Sequence, residues 1–285
     1  LPPGEGHGRI AAILLFLAPA WLTGVQSSPT LGAQTMLSVK EIANYFIALA
    51  VSKDGKEGDI SPLKLQKLVY YAQGYFLAMY GEPLFSEVIQ AWKYGPVVPE
   101  LYREYRAFEH RSIPPDTKFD RFRFDSEATR LFLEDVYADR GHLSAWHLSE
   151  MTHQERPWVT TFDRTRDKPI PNELLQAFFE ERLRLGLKDL MDEEDLILHE
   201  VLSTQRDLAG TIHHARRELD SRFGPDATML LRGRLDPEGD HQYAALYVLA
   251  SMSPEEAAQR LESFQEDWWL DRTTHSRLVI NIELE

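Results

Sequence analysis

The 285 residues are more than one compact core usually organises, and 43% hydrophobic with 27% charged content is that of an ordinary globular chain rather than a disordered, fibrous or membrane protein. The chain has no cysteine, which removes disulfides, thiol nucleophiles and thiolate zinc sites together. A net charge of -14 weighs against non-specific nucleic-acid binding; residues 189–285 hold 21 acidic and 9 basic residues, a balance of -12, so two modules with different surfaces are expected.

Residues 1–35 begin with Leu1 and show Arg9, an apolar run from Ile10 to Val25 interrupted by Pro19, and a Ser/Pro/Gly-rich stretch. This reads either as a signal-like leader or as a non-native extension ahead of a start at Met36, and carries no fold argument. Ser38 followed by Glu41 is a capping box, and Val39, Ile42, Ala43, Phe46 and Ala50 recur at helical spacing, predicting a helix over 38–52. Lys53 to Asp59 reads as a polar connection. Ser61 then supplies an N-cap, Pro62 a first helical position and Gly81 a stop. Between them Leu65, Leu68, Val69, Ala72, Phe76 and Met79 form one stripe, while Tyr70, Tyr71, Tyr75 and Leu77 add apolar surface elsewhere, as suits a central helix.

Glu87 to Trp92 is short and β-prone, and Tyr94-Gly95-Pro96 forces a change of direction. Pro99 opens another helix through about Phe108, and Ser126 to Asp139, Ser144 to Met151, Pro157 to Phe162 and Pro171 to Leu185 follow, predicting a helical bundle. Further on, 192–222 reads as one long helix with Val201, Leu208, Ile212, Ala215 and Leu219 on a stripe. Thr228 to Leu235 and Tyr243 to Ala250, joined by Asp236 to Asp240, read as an antiparallel hairpin. Ser253-Pro254-Glu255-Glu256 opens a helix with Ala257, Leu261, Phe264 and Trp268 as its buried stripe, and the alternation from Arg277 to Leu284 predicts a half-buried strand. The fold class expected is therefore mainly α: a helical bundle over 36–188, then a small acidic domain over 189–285 of order α-β-β-α-β with an antiparallel sheet.

Three blocks stand in order between Ile60 and Trp158. They are Ile60-Ser61-Pro62-Leu63-Lys64-Leu65-Gln66-Lys67-Leu68-Val69-Tyr70-Tyr71-Ala72-Gln73-Gly74, then Ala91-Trp92-Lys93-Tyr94-Gly95-Pro96-Val97-Val98-Pro99-Glu100-Leu101-Tyr102, then Leu148-Ser149-Glu150-Met151-Thr152-His153 with Pro157-Trp158. Together they resemble the Panacea (SocA-like) antitoxin domain. The resemblance implies a cytoplasmic bacterial or phage antitoxin, without established catalytic residues, that neutralises a cognate toxin by direct contact, its toxin encoded by an adjacent gene. In the founding case the antitoxin also delivers the toxin to a Clp protease, so a proteolytic adaptor is the alternative within the same class.

Trp92, Tyr94, Gly95 and Pro96 form either a partner-binding ridge or a structural turn with its tryptophan in the core. Lys64, Lys67 and Tyr71 share one side of the central helix, where they either meet an acidic or phosphate-bearing partner or solvate a face. Trp269, in the pair Trp268-Trp269, is a further candidate contact, since one of two adjacent helical tryptophans turns away from the core. His142, His147 and His153 around Glu150 do not reproduce a known metal-ligand spacing, so no metal or cofactor is expected, although a hydrolase using this cluster is the reading of another class. No Gly-x-Ser-x-Gly elbow or phosphate loop appears, and neither a catalytic residue nor membrane attachment is expected. The acidic module adds partner choice, occlusion of an effector site or an adaptor role, or simply a soluble surface.

Overall fold

The structure, a computed structural model, describes residues 37–51, 60–121, 124, 127–236, 241–269 and 278–284, without the side chains of Glu127, Trp269 and Glu283. The leader, the 53–59 connection, most of the 236–240 loop and the Trp269 side chain therefore lie outside the described residues. The chain divides into two compact units, one running to Arg182 and one starting at Leu183.

In the first unit α1 (Val39–Ala50) is opened by the Ser38–Glu41 capping box, the Ser38 N–H donating to Glu41 Oε2 at 2.9 Å. The central helix α2 (Pro62–Tyr80) starts on Ser61 and ends on Gly81, whose φ of 75° lets its N–H reach the Leu77 carbonyl at 2.9 Å. Every α2 side chain from Lys64 to Met79 is buried, because α1, α3 (Pro99–Tyr105), α4 (Glu127–Arg140) and α5 (Ala145–Gln154) all pack against it. A helix enclosed on all sides must carry its polar side chains into the interior, and two glutamines there satisfy backbone groups of neighbouring segments. Gln66 bonds both the N–H and the carbonyl of Val98, at 2.7 and 3.2 Å. Gln73 does the same for Leu84 and Phe85.

Strands β1 (Gln90–Trp92) and β2 (Gly95–Val97) form an antiparallel hairpin around Lys93-Tyr94, and β3 (Lys168–Pro169) adds to the other edge of β1. This small sheet is an addition to the expected bundle. The unit is completed by α6 (Arg156–Thr161) and α7 (Asn172–Leu185). Phe179 of α7 lies so close to Gly74 of α2 that a Cβ there would sit 2.1 Å from its ring.

The second unit corrects two expectations. The long helix over 192–222 is two helices, α8 (Leu196–Thr204) and α9 (Arg206–Phe223). They break at Gln205, which is extended (φ -120°, ψ 95°), while the Thr204 hydroxyl donates back to the Glu200 carbonyl. The sheet is mixed: β4 (Thr228–Leu235) and β5 (Gln242–Ala250) pair antiparallel as expected, but β6 (Leu278–Leu284) pairs parallel to β5. The intervening α10 (Pro254–Phe264) is the reason, since a helical crossover returns the chain to the same end of the sheet. Val279 and Asn281 are buried along with Leu278, Ile280 and Ile282, so β6 is covered on both faces, as strands fed by a crossover usually are. Ala257, Leu261, Phe264 and Trp268 form the buried stripe of α10 and the turn after it. Gly233 of β4 allows α8 to come within contact of the sheet, a Cβ there falling 2.4 Å from the Leu198 nitrogen. Asp195 caps α8 through Leu198 N–H at 2.9 Å and accepts from Gly233 N–H at 2.8 Å.

Candidate functional site

The three sequence blocks meet at the β1–β2 turn. Alternate carbonyls along it each accept from a side chain of a different element: Trp92 from Trp158 Nε1 on α6 at 2.8 Å, Tyr94 from Ser149 Oγ on α5 at 3.1 Å, and Pro96 from Lys67 Nζ on α2 at 2.9 Å. Gly95 has φ +97°, where a side chain is strained, and a Cβ would lie 2.6 Å from Lys67 Nζ and 2.7 Å from Thr152 Oγ1. The turn is thus fastened from beneath, and its conformation does not depend on anything bound above it.

Lys67 is fully buried, and burial pushes its ammonium down to about 7 against the opposing pull of the Glu155 charge. Glu155 occupies the bend between α5 and α6 and accepts from Tyr70 Oη at 2.8 Å, Tyr71 Oη at 2.9 Å and Arg182 Nη1 at 2.9 Å. Burial raises its pKa, while Arg182 and the two tyrosine hydroxyls hold it back. Arg140 lies over the Tyr71 ring at 4.9 Å and donates to Tyr75 Oη at 3.0 Å. The expectation that Lys64, Lys67 and Tyr71 form an exposed partner contact is corrected here. All three are buried because α2 is surrounded, so Lys67 and Tyr71 act on the turn and on the Glu155 bend from within.

Of the turn residues, Gly95 and Pro96 are buried and structural, whereas Tyr94 is 57% exposed, with the Lys93 ammonium 5.2 Å from its ring centre. Trp92 is half-buried, its indole nitrogen donating to Gln90 Oε1 and its ring edge-on to Tyr102 of α3 at 5.0 Å. The turn therefore unites both readings, a structural base and an exposed aromatic tip. Two exposed aromatic side chains of this unit were missed by sequence reasoning: Tyr102, which meets Trp92 and is 42% exposed, and Trp146, 64% exposed. The signal for Trp146 was present. It stands two positions from the buried Leu148, about 200° around α5, and so faces away from the core.

His153 of α5 packs on Trp158 at 4.3 Å, and burial followed by the Lys67 charge lowers its pKa, opposed by the Lys93 backbone and Glu150. His142, His147 and Glu150 are exposed. No group of three or more such side chains among the described residues is arranged to hold a metal ion. No helix among the described residues is long and apolar enough to cross a membrane.

Residues 65–159, a third of the chain, match the family model of the antitoxin SocA-like Panacea domain, a span that takes in Lys67, the turn, Ser149 and Trp158. Among characterised proteins the chain is similar to Antitoxin SocA of Caulobacter vibrioides (strain NA1000 / CB15N), with 41% identity over 71 residues, which is 25% of this chain and 36% of that relative's length. The chain thus aligns with about a third of its relative. No solved structure matches it.

Proposed function

We propose that this protein is a non-enzymatic, cytoplasmic antitoxin that neutralises a cognate toxin by direct contact, with the turn bearing Tyr94 as the centre of the contact. The observation that carries this reading is the fastened turn. Three side chains from α2, α5 and α6 hold alternate carbonyls of the hairpin, while an aromatic ring with no apolar cover stands at its tip. A rigid aromatic presented this way gives contact area at small entropic cost, the character of an interface anchor. The similarity to Antitoxin SocA and the match of this very segment to a domain of that type supply the rest of the support.

The test is co-expression of the chain with the product of each neighbouring gene, read as growth rescue and as co-purification. Rescue with a stable complex is expected for one neighbour. Tyr94→Ala should abolish rescue while leaving the thermal midpoint within about 1 °C, because an exposed ring contributes little to folding. Full rescue by Tyr94→Ala would remove the turn from the interface, and no toxic neighbour with no complex would overturn the antitoxin reading itself.

A further inference from the structure

The short helix α3, beside the β1–β2 turn, separates its acidic from its basic side chains. On α3 the two carboxylates, Glu100 and Glu104, are turned towards α1, where Lys40 Nζ lies 2.9 Å from Glu104 and 4.0 Å from Glu100. One helical turn apart on the opposite flank are Tyr102, which touches Trp92, and Arg106, whose N–H still bonds the Tyr102 carbonyl. Arg103 projects next to Arg106 on the outer side of α3, opposite the buried Leu101. Arg103, Arg106 and the turn residue Lys93 are all exposed, and none has a carboxylate within ion-pairing distance among the described residues. The carboxylate of Glu150 on α5 acts on His153, which packs on Trp158, and so belongs to the α5 side of the turn and not to the basic flank of α3. This occurs in a protein of net charge -14, most of which belongs to residues 189–285.

We propose that this face receives an acidic segment of a partner protein, an apolar side chain lying against Tyr94 and Tyr102 and carboxylates meeting Lys93, Arg103 and Arg106; this rests on the reading of the turn as the toxin contact. Unpaired guanidinium groups beside exposed aromatic rings are a favourable setting for carboxylates, which they bind through two parallel hydrogen bonds. A single-stranded nucleic acid fits less well. The Tyr94 ring is already faced by Lys93, and Tyr102 meets Trp92 edge-on at 65°, so successive rings do not offer parallel surfaces to consecutive bases. Glu150 would also oppose a phosphate, whereas a peptide can place its carboxylates on the α3 side alone.

A phage-displayed library of short random peptides, selected on the full chain and counter-selected on Arg103→Glu/Arg106→Glu, tests this directly. Enrichment of sequences combining Asp or Glu with an aromatic or aliphatic residue is expected, and an enriched peptide made synthetically should bind about tenfold more weakly to the charge-reversed protein and to Tyr94→Ala. Enrichment of basic or neutral peptides, no enrichment at all, or equal binding to the charge-reversed protein would overturn the proposal. So would tighter binding of a single-stranded oligouridylate than of the selected peptides, which would assign the face to nucleic acid. The rescue assay separates the two levels. If Tyr94→Ala abolishes rescue but Arg103→Glu/Arg106→Glu does not, the turn stands as the contact and the acidic partner falls; if neither variant affects rescue, the reading of the turn falls as well.

Discussion

The two units bury different chemistry. Of the eleven buried polar or charged residues among those described, ten lie before Arg182 and only Asn281 lies in the acidic second unit. That second unit keeps its ions outside, in helix-surface pairs such as Arg222–Glu218 and Arg260–Glu256, around an apolar core of Leu208, Ile212, Leu231, Leu246 and Ile280. The first unit instead encloses Lys67, Glu155 and two glutamines in its centre. A buried ion is a poor source of stability compared with a well-packed apolar side chain, but it fixes position. In the first unit the positions it fixes are those of the β1–β2 turn and the α5–α6 bend, so the cost of polar burial is spent on geometry at the candidate interface. The second unit has no comparable feature among its described residues and folds as a sheet with helices against it.

The contrast is broken most severely at Glu155. Glu155→Ala leaves Arg182 and two tyrosine hydroxyls without their shared acceptor, and a loss of about 3 to 5 kcal/mol is expected in urea unfolding. Glu218→Ala in the second unit removes only a helix-surface pair and should cost within about 1 kcal/mol. If the two losses are equal, the units do not differ in the way described.

Gly95→Ala comes next. It places a side chain at φ +97° against Lys67 Nζ, and about 2 kcal/mol should be lost, together with toxin rescue, since the turn can no longer seat. An alanine variant of full stability and activity would show that the turn is not held from below.

The effect that is smallest per step is also the most diagnostic, because it accumulates with pH. Unfolded, the Lys67 amine titrates near its ordinary value of 10.5; folded, burial brings it to about 7. Between those values the unfolded chain binds more protons, so stability should rise with pH across that window. Lys67→Met removes the rise, and the stability difference between native protein and variant should grow in favour of the native protein by up to about 1.4 kcal/mol per pH unit above pH 7. Tyr70 and Tyr71, both raised on folding, lower stability as their unfolded counterparts ionise near 10.0, so the comparison is made below that pH. A flat difference between about pH 7 and 9 would mean that Lys67 stays charged when folded.

Much of the scaffold was legible from local chemistry. Ser38, Ser61, Ser144 and Ser253 all cap helices where their patterns placed them, because a cap is a contact between residues three apart. What depended on distant partners was not legible. A lysine at helical spacing reads as solvated, and nothing near Lys67 in sequence reveals that a carbonyl 29 residues away accepts from it. Strand direction is likewise absent from an alternating pattern, so the parallel pairing of β6 could not be read from Leu278 to Leu284. The two-residue strand β3 carries a proline and has no alternation to detect. The three blocks meet at the β1–β2 turn, but their pattern did not tell which members face outward: Tyr94 does, Lys67 and Tyr71 do not, and Trp146 belonged to no block.

The approach of Phe179 to Gly74 has a consequence for what constitutes an autonomously folding piece. The segment matched to the Panacea family ends at residue 159, yet both Phe179 and the guanidinium of Arg182 come from α7, beyond that limit. A fragment cut to the matched boundaries would expose a slot along the middle of α2 and strand a buried carboxylate without its counterion. Closure of that slot joins distant parts of the chain, the kind of contact that forms late and slows assembly. The cooperative unit is therefore longer than the recognisable one, and a chain being synthesised must extend through α7 before α2 is covered at Gly74 and Glu155 meets Arg182.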